Sequence, residues 1–408
     1  MTNAREAARR DPMLDTTAPS LAALPPVASD SLLALIALCN ADPRPDKIDV
    51  GVGVYRDAAG ATPIPRAVKA AEKLLWERQE TKAYLGGRGD VKFAQLLRPF
   101  VLGRHAGDLS IDQVQTPGGC GALRLGFQLI KLANPGARVL LGDPTWPNHP
   151  PMAQGVGLEL SNYPYYDRDN RRIRFDEMLA ALKAGRPGDV ALLHGCCHNP
   201  TGADLSDGQW AEVTRVVVDR RLLPFVDLAY QGLGRGMAED AAGLHGLLDV
   251  CDEVLVAQSC DKNFGSYRDR VGALFVKTGA KEATATAMAH VLQMAREMWS
   301  MPPDHGGAVV RTVLEDEGLK ADWLVEVGEM RDRINQVRAT IAAADPRLAF
   351  IGQQFGMFSM LPLSKAQVVG LRDTHAIYMA DSGRFNIVGM SDDALPRFIA
   401  AVVETLDA

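Results

Sequence analysis

Long apolar runs are missing from this sequence, and the longest uninterrupted one, Leu32 to Cys39, is less than half of what a membrane-spanning helix needs. No span is expected. Cysteine is sparse, six in 408 residues, and the adjacent pair Cys196 and Cys197 has neither zinc-finger spacing nor the density of a disulfide scaffold. Reduced, mostly buried thiols are expected. An excess of one charge is absent as well: 44 basic residues against 50 acidic ones leave a net charge of -6. This excludes a global basic field for nucleic acid or anionic membrane, although a local basic pocket stays open. No repeat and no low-complexity tract occurs. Arg5, Arg9 and Arg10 are followed by no apolar stretch before Pro25 and Pro26, so no secretory signal is read and a cytoplasmic protein is expected. Residues 1–12 are polar and charged, are expected to be disordered, and leave Met13 as an alternative start.

What is present is an ordinary globular composition, 47% apolar and 23% charged, in a chain long enough for two or three domains. Strand-length apolar runs at Ala137–Gly142, Val190–Gly195, Leu222–Asp227, Val254–Ser259 and Val271–Lys277 alternate with helical periods such as Asp207–Arg221. That alternation predicts an α/β fold with a mostly parallel sheet covered by helices on both faces. The charge-rich segment Glu315–Ala344, with Leu324, Val327, Met330 and Ile334 at helical spacing, predicts one long helix leading into a smaller C-terminal unit. That unit is expected to contain a strand pair within Leu348–Leu363. The helix near Ser31–Cys39 is too short to form a core alone and is expected to pack on it, which makes the small domain discontinuous.

Several of these strands end in polar side chains: Asp143, His194 with Asn199, Asp227 with Tyr230, and Ser259 with Lys262. Ligands of open parallel sheets bind at the carboxyl ends of strands, so these groups should converge on one crevice. Each alone has a plainer reading, since an Asp ending a strand commonly caps a helix or forms a turn. Gly118-Gly119-Cys120-Gly121 precedes the helical stretch Ala122–Leu132, on which Leu123, Phe127 and Ile130 share a face. Bare amides at a helix start can cradle a phosphate, yet a glycine run there is commonly just a tight turn, and neither dinucleotide nor Walker spacing is present. Lys262 follows a buried strand eight residues before Arg270. A lysine beside another cation is pushed toward the neutral amine that attacks carbonyls, whereas spacing alone reads first as a solvated surface lysine.

Taken in order, Val50–Asp57, Tyr84-Leu85-Gly86, Gln115–Arg124, Asp143–His149, His194–Gly202, Asp227–Gly232, Ser259–Gly272, Ser300–Gly306, Gly356–Ser359 and Ser382–Asn386 carry a more specific signal. With these segments the sequence resembles the class I pyridoxal phosphate aminotransferases, within the aspartate and aromatic amino acid subgroup, from about Ser31 to the end. The resemblance implies a fold type I transferase, with a large domain holding a mostly parallel seven-stranded sheet between helices and a smaller discontinuous α+β domain. The implied division is an extension and arm at 1–29, small-domain parts at 30–62 and 326–408, and a large cofactor domain at 63–325.

The same resemblance implies pyridoxal 5'-phosphate held covalently by Lys262, which also shuttles the proton of the transfer. Asp227 is implied at the ring nitrogen, Tyr230 and Asn199 at the phenolic oxygen, and Trp146 on the ring face. The phosphate is implied to lie on Ser259, Arg270, the amides of Gly119 and Cys120, and Tyr84 of a second subunit. Arg384 is implied to clamp the substrate α-carboxylate, and Arg296 of the partner the distal carboxylate, although a helix-surface arginine is the plain alternative there. Gly53 would let the backbone close over the substrate, with Trp146 and Asn199 also touching it. A homodimer with shared sites, working on amino acids and 2-oxo acids without nucleic acid, metal or membrane, follows.

The sequence departs from the family pattern at four of these places. Cys120 replaces a hydroxyl residue, Trp299 replaces a Tyr, and Met301 replaces an Asn or Ser. Asp261 replaces a small residue just before Lys262 and is expected to point away, because a facing charge would favour the protonated lysine. Val54, Arg56 and Thr62 look like aspartate-selective members, while Ala83, Cys120 and Met301 match neither type. Dual specificity for acidic and aromatic amino acids is the preferred expectation, against a strict aspartate enzyme or a lyase or decarboxylase of the same fold. A cofactor-binding regulator would need an appended DNA- or partner-binding module, and a nicotinamide dehydrogenase a dinucleotide fingerprint; neither is found.

Overall fold

The computed structural model describes residues 21, 24–26 and 31–407. The expectations for residues 1–12, and for most of the 1–29 arm, lie outside these residues. Seven strands form the central sheet: β1 (Ile111–Pro117), β2 (Arg138–Asp143), β3 (Glu159–Pro164), β4 (Val190–His194), β5 (Leu223–Leu228), β6 (Val254–Ser259) and β7 (Val271–Lys277). Their order is β1-β7-β6-β5-β4-β2-β3. Only β7 runs against its neighbours, pairing antiparallel with both β1 and β6, so the expected mostly parallel sheet is present.

Both faces of that sheet are covered, which is why its inner strands read as continuous apolar runs. Alternate residues feed two cores. Val139, Leu141, Leu192 and Leu255 pack with Phe127 and Phe225 on one side, while Leu140, Ala191, Leu193 and Val256 pack with Trp210 and Val213 on the other. The helix Gly118–Ala133 buries Leu123, Phe127 and Ile130, the face read from the sequence, but it begins at Gly118 rather than at Ala122. Asp207–Arg220 starts on a reciprocal cap in which Ser206 and Gln209 satisfy each other's free backbone donors, and it stops where Arg221 turns left-handed.

The expected long helix is present as Glu317–Ala344, and a second helix precedes it. Asp304–Glu315 ends at Asp316, whose side chain then accepts from the amides of Gly318 and Leu319 and starts Glu317–Ala344. The buried stripe of the second helix runs through Trp323, Val327, Met330 and Ile334, whereas Leu324 is 39% exposed.

A strand pair within Leu348–Leu363 is not found. Pro346–Gln353 is a 3-10 helix, because Pro346 pre-sets a helical turn and Asp345 caps it. The only strand there, Phe358–Met360, pairs antiparallel with Arg384–Asn386. Buried Arg338 fixes this corner by donating to the carbonyls of Ile351, Phe355, Gly356 and Phe358. At the other end of the chain, Ile48–Asp49 pairs parallel with Ile377–Tyr378, and Arg333 donates to the carbonyls of Arg56, Asp57 and Met390. The N-terminal segment is thereby sewn to the C-terminal one. Among the described residues, no helix is long and apolar enough to cross a membrane, and all six cysteines are free, with five buried and Cys120 half-buried.

Candidate active site

A cavity of about 280 Å³ opens at the carboxyl ends of β4, β5 and β6. Strand register makes His194 and Asp227 cross-strand neighbours there, and Ser259 closes the adjoining strand. Lys262 follows one turn later. The first turn of Gly118–Ala133 contributes Gly119 and Cys120, the loop after β2 contributes Trp146, and the loop after β4 contributes Asn199. The roof is made of Gly53, Phe358 and Arg384, from the segments that Arg338 and the paired termini hold in place. A Cβ at Gly53 would stand 2.8 Å from the Phe358 ring, so only glycine lets the two segments meet there.

Asp227 is the most supported group. His149, wholly buried, faces its Oδ2 through Nε2 at 3.0 Å. Thr145 Oγ1 then bridges His149 Nδ1 at 2.8 Å and His194 Nε2 at 3.1 Å. Burial alone would raise the Asp227 pKa, but the His149 hydrogen bond and the surrounding positive charge outweigh it and hold the carboxyl below its ordinary value. The carboxylate is therefore kept charged in a dry place. Burial, helped by His149, pushes His194 down to about 3, so that imidazole stays neutral.

The opposite wall pairs Tyr230 with Asn199, whose Nδ2 lies 3.4 Å from the phenol oxygen. Burial first, and the Asp227 charge second, hold the Tyr230 hydroxyl protonated as a donor. Asn199 Oδ1 and Arg384 Nε are buried without a partner among the described residues, so each has capacity left for a ligand. Arg384 donates through Nη2 to the Gly51 carbonyl at 2.8 Å and lies 4.9 Å above the Phe358 ring. Lys262 Nζ stands 5.2 Å from the Tyr230 ring centre and 3.9 Å from Asp261 Oδ2.

The cavity thus gathers Gly53, Gly119, Cys120, Trp146, Asn199, Asp227, Tyr230, Ser259, Lys262, Arg270 and Arg384 from the expected residues. Asp143 is exposed at the end of its strand and does not join them. Tyr84, 90% exposed, and Arg296, on the outer face of Lys281–Met298, also lie outside. Asp261 corrects an expectation: it does not point away but lines the cavity, drawn in by Arg270 Nη1 at 2.5 Å from its Oδ2. His149 and Thr145 were not singled out, since their partners lie 78 and 49 residues away, respectively, and no local spacing announces them.

A lysine amine, a buried carboxylate and an arginine at one end of a mostly parallel sheet, roofed by a second arginine, describe an α/β enzyme built for carbonyl chemistry on anionic molecules. The family follows from comparison. Residues 45–402 match the family model for aminotransferase class I and II, and the chain belongs to that family. It is 49% identical to a tyrosine aminotransferase of Rhizobium meliloti (strain 1021) over 368 residues, covering 89% of this chain and 94% of that protein. An aspartate aminotransferase of Escherichia coli (strain K12) is 39% identical over 387 residues, covering 93% and 98%. Among solved structures, an aromatic-amino-acid aminotransferase from Burkholderia pseudomallei, covalently bound to pyridoxal phosphate, superposes with a TM-score of 0.92 at 38% identity, covering 95% of this chain and 100% of that one. The fold type I class implied by the sequence is the fold observed.

Proposed function

We propose that this aminotransferase uses pyridoxal 5'-phosphate in the cavity to move amino groups between aromatic or acidic L-amino acids and 2-oxo acids. The convergence of Lys262, Asp227, the Tyr230–Asn199 pair and Arg384 on one cavity carries the reading. The cavity fits the cofactor in its unmet chemistry: a charged carboxylate, donors for an oxyanion, a glycine-rich helix start with Arg270, and an amine. Bound there, the cofactor supplies an aldehyde and an electron-withdrawing ring.

Lys262 would hold that aldehyde through Nζ, and its freed amine would take up the proton of the substrate α carbon. Asp227 holds positive charge at the ring nitrogen, and His149 keeps Asp227 ionised and oriented. Tyr230 and Asn199 donate to the ring oxygen. Trp146 covers the ring face and Gly53 admits the substrate beneath the roof. Arg384 grips the α-carboxylate with the donors not used by Gly51. Ser259, Arg270 and the amides of Gly119 and Cys120 hold the phosphate. The first amino acid leaves as a 2-oxo acid before the second oxo acid enters, so one pocket serves both half-reactions.

The site is completed by a second copy of the chain, and the enzyme is a cytoplasmic homodimer in this reading. Leu85 N lies 3.2 Å from Met301 Sδ, so the exposed Tyr84 loop and the segment after Arg296 form one surface. Presented to a partner, that surface delivers Tyr84 to the phosphate and Arg296 to the distal carboxylate. Residues 63–325 form the cofactor domain, with 30–62 and 326–408 as the small domain that closes. Trp299 and Met301 make the distal end more apolar, which favours large side chains, while Arg296 still accepts aspartate and glutamate. Val54, Arg56 and Thr62 favour the alternative of a strict aspartate enzyme. Turnover of aspartate, phenylalanine, tyrosine and tryptophan with 2-oxoglutarate tests the reading: all four should yield 2-oxo acids, and refusal of every aromatic donor would remove the dual specificity. Products other than 2-oxo acids would place the chain among lyases or decarboxylases of this fold.

A further inference from the structure

The anion-binding end of the cavity contains a carboxylate that the proposed function does not use. Asp261 is 5% exposed, and its Oδ1 is buried with no hydrogen-bond partner among the described residues. Its Oδ2 stands 2.5 Å from Arg270 Nη1, which also donates to the Tyr267 carbonyl at 3.0 Å. The pair has a fixed seat. Gly118 at the helix start has φ +68°, and a Cβ there would stand 2.5 Å from Arg270 Nη2 and 3.5 Å from Asp261 Oδ2. The ion pair therefore rests against bare backbone where a phosphate would also seek its donors.

The groups facing Asp261 are two cations, Arg270 and Lys262, and three protonated acids, Cys120, Cys260 and Tyr267. One carboxylate thus offsets one of the two positive charges that an incoming anion would meet. A dianionic phosphate must share Arg270 with Asp261 or displace it, and two anions at one guanidinium repel each other. Ser259 Oγ already accepts from the Asp261 amide at 3.2 Å and keeps only its proton to offer.

We propose that Asp261 is a built-in rival of the cofactor phosphate for Arg270, a residue that sets how strongly the site selects the phosphorylated cofactor and makes that cofactor exchangeable. This rests on the reading of the cavity as a pyridoxal phosphate site. Asp261 Oδ2 also stands 3.9 Å from Lys262 Nζ, so any effect on the amine acts on phosphorylated and unphosphorylated aldehydes alike, and the rivalry at Arg270 shows as the difference between them.

The test is binding to the full-length protein freed of cofactor, titrated separately with pyridoxal phosphate and with pyridoxal while the absorbance of the lysine-bound aldehyde is followed. Asp261→Asn and Asp261→Ser should raise the preference for pyridoxal phosphate over pyridoxal on the order of ten- to hundredfold, the range of one charge-assisted hydrogen bond. Retained pyridoxal binding also shows that the variants are folded. Inorganic phosphate alone should raise the thermal midpoint of Asp261→Asn more than that of the wild type. An equal or lower preference for pyridoxal phosphate over pyridoxal in both variants would overturn the proposal and leave Asp261 as a mere holder of Arg270. Wild-type protein that takes up neither aldehyde would instead overturn the functional reading, and this inference with it.

Discussion

The two ends of the cavity are built differently. At the Asp227 end each group has a side-chain partner: wholly buried His149 on the carboxylate, half-buried Thr145 on His149, and half-buried His194 on Thr145. At the Arg270 end the arginine side chain is 40% exposed, one carboxylate oxygen of Asp261 is left unpaired among the described residues, and the thiol of Cys120 stands in a half-buried position. A connected side-chain network in low dielectric is rigid and fixes a charge before any ligand arrives. A partly satisfied one leaves its donors negotiable. The contrast suits one end to chemistry and the other to holding and releasing a cofactor.

That contrast can be broken most severely at the amine. Lys262→Ala should lower amino-group exchange by at least about a thousandfold, measured with aspartate and 2-oxoglutarate under cofactor saturation. Asp227→Asn, which removes the buried negative charge but keeps the shape, should cost about a hundredfold or more in kcat with little change in cofactor affinity. Arg270→Gln is its counterpart at the other end. It should weaken pyridoxal phosphate on the order of ten- to hundredfold while sparing pyridoxal, as read by equilibrium titration. A large kcat effect at saturating cofactor from Arg270→Gln would erase the distinction between the two ends.

Smaller effects sharpen it. Removing the imidazole in His149→Asn leaves burial as the main influence on Asp227, so its pKa should rise. Because the working form is the carboxylate, the acid limb of the kcat profile should move to higher pH in that variant. An unmoved limb would detach His149 from Asp227. His194 offers a stability readout: its folded pKa of about 3 lies below the ordinary 6.5, so between these values the unfolded chain binds the proton and the folded one does not. Stability should fall as pH drops through that window, by at most about 1.4 kcal/mol per pH unit from this group. His194→Gln should flatten the slope in acid denaturation.

Sequence reading reached furthest where chemistry is repeated along the chain. Strands ending in Asp227 and Ser259 were legible because their apolar runs stop at a polar residue, and Lys262 stood out once the flanking segments were read together. It failed where a partner is distant or a run is ambiguous. His149 looks like any histidine until the sheet brings Asp227 to it, and Asp261 turns inward because Arg270, nine residues on, attracts it, a pairing that its place beside Lys262 does not announce. The apolar run Leu348–Leu363 suits a strand or a 3-10 turn equally, and Pro346 with the Arg338 carbonyl contacts decides it. Tyr84 and Arg296 do not line the cavity of their own chain.

The most direct test of the central claim is borohydride reduction of the cofactor-loaded native protein, followed by peptide mapping. A single pyridoxyl-bearing peptide modified at Lys262 is the predicted result; an adduct on any other lysine, or none at all, would contradict it.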